Sequence, residues 1–181
     1  MALSIFNINC KNLFEVRGED VPFWIQQFQD QGKKAIGFTG EDLYTEFNLE
    51  TDYKLEILKR IEWDDEMALF GKPALCLIGS KNYTLQDLPK NLIVCLPYKY
   101  KNVANKYLKS LEDQGFTFKK IYVNGCVEMS CSEGIADLII DIVYTGNSLF
   151  RYGLQVYDKI MYSDFLILGT KESLINQDKE V

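Results

Sequence analysis

The 181-residue chain is 47% hydrophobic and 25% charged, carries a formal net charge of −6 and contains no histidine. That balance fits a soluble globular protein with enough residues for a core in one domain or two small lobes. It excludes a dense basic nucleic-acid footprint, a membrane span, Ser-His-Asp and Cys-His catalysis, His-ligated zinc and any imidazole base.

The first residues, MALSIFNINCKNLF, lack the basic start and extended apolar region of an export signal, so the chain reads as cytoplasmic. Leu13–Arg17 reads as a strand. A helix follows, with Asp20 as N-cap, Pro22 in its first turn, Val21, Trp24, Ile25 and Phe28 on one face, and Gly32 at its end. KAIGFTG is a short strand and EDLYTEFN the next helix. YKLEILKRIEW and KPALCLIGS are strands, joined through the acidic turn Asp64-Asp65-Glu66, which is expected to be solvated.

LQDLPK is a connector, and NLIVCLPY a buried strand. NVANKYLKSLEDQG is a helix with Val103, Tyr107, Leu108 and Leu111 facing inward. FTFKKIYV is a strand, NGCVEMSCSEG a turn with a short helix, and ADLIIDIV a further strand. SLFRYG is a helical turn that Ser148 is placed to cap. LQVYDKIMYSDFLILGT supplies two strands and KESLINQDKEV a frayed tail. Strands alternating with helices predict an α/β protein of two lobes with mostly parallel sheets and a cleft between them. The division is residues 1–86 plus 167–181 for the first lobe and 87–166 for the second. The odd count of five cysteines, with no C-x-x-C pair, predicts reduced thiols that pack near strands, Cys126 and Cys131 among them.

With imidazole gone, chemistry falls to carboxylates, hydroxyls, Lys/Arg, backbone amides or an oxygen-held cation. Thr145-Gly146-Asn147-Ser148 ends an apolar strand, and offers two hydroxyls plus a glycine that lets backbone approach an anion. An ordinary turn uses the same residues. Asp141, inside that strand, is costly without a partner and is placed for ribose hydroxyls or a hydrated Mg²⁺; a solvent-facing strand edge is the plainer reading. Glu128 follows the Gly125 turn, where a first helical turn favours any acid. Gly37 and Gly40 bracket Phe38-Thr39 before a helix start, a weak signal for a ligand meeting backbone amides.

From Glu128 the spacing runs through Gly134, Ile135, Ala136, Ile139, Asp141, Ile142, Thr145, Gly146, Asn147, Ser148 and Leu149. It resembles the signature of the ATP phosphoribosyltransferases, the first enzymes of histidine biosynthesis, with Ser148 where that family usually has Thr. VRGEDVPFWIQQF resembles the family's Val-Arg-x-x-Asp-Val-Pro helix start. AIGFTGEDLYTE resembles its Asp-x-Gly-x-x-Gly-x-Asp turn, with Lys34 or Ala35 in place of the first Asp. YKYKNVANKYL resembles the opening of its second lobe at Lys99, Asn102 and Tyr107.

The resemblance implies a fold like type II periplasmic binding proteins. It also implies transfer of phosphoribosyl from phosphoribosyl pyrophosphate to N1 of ATP, with Mg²⁺ carried by substrate and Asp141. Thr145, Gly146, Asn147 and Ser148 would cradle the 5′-phosphate, Asp141 and Glu128 would be catalytic, and Arg17, Thr39 and Gly40 would lie on the nucleotide side. A homo-oligomer, or a hetero-oligomer with a regulatory subunit, is implied, with no nucleic acid and no membrane. The family's opening strand and Lys-Gly-Arg-Leu-type loop have no counterpart in MALSIFNINCKN, which makes the chain an N-terminally shortened or divergent member. A non-catalytic relative that keeps the phosphoribosyl site is the alternative; a solute receptor of the same fold would need an export signal.

Overall fold

The computed structural model describes residues 12–169; the opening segment with Cys10 and the tail from Lys171 lie outside them. Five helices are α1 (Val21–Asp30), α2 (Glu41–Glu50), α3 (Lys101–Glu112), α4 (Val127–Ser132) and α5 (Asn147–Tyr152). Eight strands are β1 (Ile36–Gly40), β2 (Glu56–Ile61), β3 (Ala74–Ser80), β4 (Asn91–Pro97), β5 (Thr117–Val123), β6 (Leu138–Val143), β7 (Leu154–Tyr162) and β8 (Phe165–Gly169). They form a three-stranded sheet, β1-β8-β2, and a five-stranded sheet, β5-β4-β6-β3-β7. Two sheets with their own helices give the two-lobed α/β architecture.

Parallel pairing is confined to β5-β4-β6. β3 and β7 join the large sheet antiparallel, and the small sheet is antiparallel throughout. The alternation of strands and helices carries no information about strands that arrive through loops alone, such as β3 and β8. β3 also pairs within the large sheet, although the division at residue 86 counts it with the first lobe. The chain passes between the sheets at residues 62–73 and again at 163–164. Asp164 ties those crossings together, accepting hydrogen bonds from Lys72 Nζ (2.9 Å) and the Trp63 amide (3.2 Å).

The large sheet is covered on both faces, so its central strands are apolar almost without interruption. On one face Leu75, Leu77, Leu138 and Ile140 pack with Val103, Leu108 and Leu111 of α3. On the other, Cys76, Ile78, Ile139 and Val143 pack with Val127 of α4 and Leu149 of α5. In the small lobe α1 lies so close over β1 that a Cβ at Gly37 would stand 2.5 Å from Val21 and 2.7 Å from Ile25. Of the residues predicted on one face of α1, Ile25 is buried but Trp24 is exposed, meeting the Phe23 ring edge-on and the Phe28 ring at a tilt. Leu13–Arg17 forms no strand; it leads into a 3-10 turn at Gly18–Asp20 with its apolar side chains exposed. Asp20 does occupy the N-cap of α1 but makes no side-chain cap bond.

Candidate active site

Because β4, β5 and β6 run parallel, their C-terminal ends open on one side of the sheet, where ligands of such sheets bind. The 3-10 turn Tyr98–Tyr100, the turn before α4 and the loop before α5 therefore meet there. Asp141 sits two residues from the end of β6, opposite Cys76, on the strand face of Ile139 and Val143. Among the described residues its carboxylate accepts one hydrogen bond, from the Ile142 amide at 2.8 Å. Burial pushes it up from 3.8 to about 6. The Ile142 amide lowers it, Glu128 raises it, and Lys99 lowers it. Glu128 and Lys99 thus both act on Asp141, from the elements that follow β5 and β4.

The loop after β6 is built around Gly146, whose φ of 76° is left-handed. Gly146 is the N-cap of α5, so Ser148 lies inside that helix, exposed, and does not cap it. Thr145 Oγ1 accepts the Asn147 amide at 3.4 Å, and Gly153, at φ 65°, closes the helix as predicted. The crossing segment 62–73 buttresses this loop. The Leu69 amide donates to the Tyr144 carbonyl at 2.7 Å, Trp63 packs edge-on against Tyr144, and the Tyr144 hydroxyl donates to Asp65. Asp65 is therefore half-buried and bonded, whereas Asp64 and Glu66 are exposed as expected. A Cβ at Gly146 would meet Leu69 Cδ2 at 3.3 Å.

A cleft of about 470 Å³ lies between the lobes, lined by Arg17 and Glu19 of the small lobe and by Lys99, Asn102 and Asn124 of the large one. Of the three predicted nucleotide-side residues, Arg17 faces it. Thr39 is buried and donates its hydroxyl to the Gly18 carbonyl at 2.7 Å. Gly40 caps α2 and leaves room for the side chains of Asp42 and Ser163. Asp42 accepts hydrogen bonds from the Tyr100 and Ser163 hydroxyls. The Tyr100 phenol is raised by its burial first and by Asp42 second, so it stays a donor. Of the cysteines, Cys76 and Cys95 pack in β3 and β4, and burial pushes the Cys76 thiol up to about 12. Cys126 differs from the expected packing residue: it is exposed, with φ 56°, at the start of α4.

Comparison with known proteins adds the deciding observation. The family model for ATP phosphoribosyltransferase (HisG) matches residues 17–181. This chain belongs to the ATP phosphoribosyltransferase family. The family's member from Metallosphaera sedula is 28% identical over 93% of this chain and 53% of its own length. The one from Campylobacter fetus is 30% identical over 92% of this chain and 72% of its own. The chain thus spans about half to three-quarters of the length of these relatives. The ATP phosphoribosyl transferase (HisG:HisZ) complex from Thermotoga maritima shares the fold at TM-score 0.71 and 22% identity, covering 94% of this chain and 80% of that one. The periplasmic aliphatic sulphonate binding protein SsuA from Escherichia coli shares it at TM-score 0.53 and 15% identity, over 84% of this chain and 52% of that one. The likeness to both a transferase and a binding protein fits the expected two-lobed architecture.

Sequence reasoning did not single out Asp42, Glu46, Asp65 and Tyr144 as site-supporting residues. The available signal was the i, i+4 spacing of Asp42 and Glu46 among the apolar Leu43, Tyr44 and Phe47, which puts two acids on one helix face. Which neighbour that face meets is set by the tertiary fold.

Proposed function

We propose that this family member transfers phosphoribosyl from phosphoribosyl pyrophosphate to N1 of ATP, releasing pyrophosphate, as the first step of histidine biosynthesis in the cytoplasm. The observation that carries the reading is Asp141: a half-buried carboxylate with one hydrogen bond, from its neighbour's amide, two residues before the end of a central strand that leads into the Thr145–Ser148 loop. A fold does not keep such a group for stability, since burial of a carboxylate without partners is unfavourable.

Thr145, Gly146, Asn147 and Ser148 bind the 5′-phosphate through hydroxyls and backbone amides. The C1′–pyrophosphate bond breaks as the N1 lone pair of ATP forms the new bond, and positive charge develops on the ribose. Asp141, ionised for the most part at pH 7, stabilises that charge and orients the ribose hydroxyls. Glu128 adds negative potential at the same point. Arg17, with Thr39 and Gly40 behind it, forms the nucleotide side of the cleft. Holding both substrates in register supplies much of the remaining acceleration.

Among the described residues no group of three or more His, Cys, Asp or Glu side chains could cage a metal. That donor set fits magnesium arriving on the pyrophosphate, an ion that takes one or two carboxylates and keeps its other positions for phosphate and water oxygens. Asp141 and Glu128, which repel each other, are the pair to hold it, and it would neutralise the leaving pyrophosphate. The partner is a second subunit, of its own kind or regulatory; the Thermotoga maritima neighbour is a HisG:HisZ complex.

The test is incubation of the purified chain with ATP, phosphoribosyl pyrophosphate and Mg²⁺, with product separated by chromatography. Phosphoribosyl-ATP and pyrophosphate in equal amounts are expected. Phosphoribosyl pyrophosphate bound without product would turn the reading to a non-catalytic relative, and absence of both binding and product would overturn it.

A further inference from the structure

Helix α3 opens the large lobe's side of the cleft, yet its own N-cap residue, Tyr100, makes no side-chain cap bond. Its first-turn amides are satisfied from the other lobe. Glu46, on α2, accepts the Asn102 amide on Oε1 at 2.7 Å and the Val103 amide on Oε2 at 2.8 Å. Glu46 is 7% exposed. One helical turn earlier on α2, Asp42 accepts the Tyr100 hydroxyl at 2.5 Å. Two acids of the small lobe thus grip Tyr100, Asn102 and Val103, at the helix start that lines the cleft with Lys99 and Asn102.

We infer that Glu46 is a positioning residue for the transfer reaction: by capping α3 from the opposite lobe it fixes the angle between the lobes. The inference rests on the transferase reading of the cleft. Two charge-assisted hydrogen bonds to a helix start are strong and directional, and a cap of this kind holds the first turn in one geometry. The groups assigned to phosphoribosyl pyrophosphate, Glu128, Asp141 and Thr145–Ser148, all lie on the large lobe and hold their arrangement without Glu46. Arg17, assigned to ATP, lines the cleft from the small lobe, so bringing N1 to C1′ depends on the lobe angle. Misplacement by about 1 Å is enough to lower a rate roughly a hundredfold. Glu46 therefore governs turnover and leaves affinity for the first substrate alone.

The experiment uses the full chain with Glu46→Gln and Glu46→Ala. Gln keeps the shape and one acceptor oxygen, while its NH₂ opposes the second amide; Ala keeps neither. Steady-state kinetics, calorimetric titration with phosphoribosyl pyrophosphate and Mg²⁺, and hydrogen exchange at the Asn102 and Val103 amides are measured together. Expected are a kcat at least tenfold lower in Glu46→Gln and lower again in Glu46→Ala, faster exchange at both amides, and phosphoribosyl pyrophosphate affinity within threefold of wild type. Faster exchange with unchanged kcat would make Glu46 a cap for stability only and overturn the inference. So would affinity falling in step with kcat, or exchange that does not change. A wild-type chain that binds no phosphoribosyl pyrophosphate overturns the transferase reading instead, and the two exchange rates still decide whether Glu46 ties the lobes.

Discussion

Asp42 is buried and Asp141 half-buried, and the surroundings of the two acids are opposite. Asp42 receives the Tyr100 and Ser163 hydroxyls and, one turn on, Glu46 receives two backbone amides. Asp141 receives the amide of its own neighbour, faces a second acid, and is raised to about 6 by burial. The first arrangement is what a fold does with charge it needs to hold elements together: every lone pair in reach is given a donor. The second is what remains when a charge is kept for something that arrives later. A buried carboxylate is read through its partners, and depth alone does not tell the two apart.

The comparison can be broken in several places. The largest effect outside Asp141 is expected at Gly146→Val. A side chain there combines strain at φ 76° with contact on Leu69, and stands where phosphate meets backbone, so phosphoribosyl pyrophosphate affinity should fall at least a hundredfold in calorimetric titration. Unchanged affinity in a folded variant would return the loop to an ordinary turn.

Asp42→Ala strips the acceptor from two hydroxyls and should cost about 2–3 kcal/mol in urea unfolding. A neutral result would mean the lobe contact does not need its acids. Ser148→Ala removes a hydroxyl that does not cap α5, so stability should hold while affinity falls by about 1–2 kcal/mol. Loss of stability at unchanged affinity would reverse that assignment.

Part of this was legible in the chain order of residues. β4, β6 and their following loops announce themselves because each is local: an apolar run, a glycine, hydroxyls, and an acid out of place, as at Leu138–Ser148. The family signature lies on the same stretch, and the Asp141–Glu128 proximity follows from parallel strands ending together. What stayed hidden is long-range. Glu46 reads as one more acid on an amphipathic helix, and its meeting with Val103, 57 residues on, is decided by how two lobes pack. Asp65 reads as a solvated turn residue, but the crossing loop folds back on Tyr144. Antiparallel placement of β3 and β8 is hidden for the same reason: apolar runs announce a buried strand and say nothing of its direction. Thr39, in a glycine-bracketed turn, has its hydroxyl turned inward to Gly18.

The most direct test is Asp141→Asn, followed for stability and for transfer in the same preparation. Because the carboxyl is raised from the ordinary 3.8 to about 6 in the folded state, the protein loses stability as pH rises through the interval from about 4 to 6 and the half-buried group ionises. Asparagine carries no such charge. The variant should be more stable than wild type by about 1–3 kcal/mol at pH 7, with the gain gone near pH 4, while phosphoribosyl-ATP formation falls by about two orders of magnitude. Stability and transfer falling together, or transfer surviving, would show that Asp141 belongs with Asp42 as a structural acid and would contradict the account.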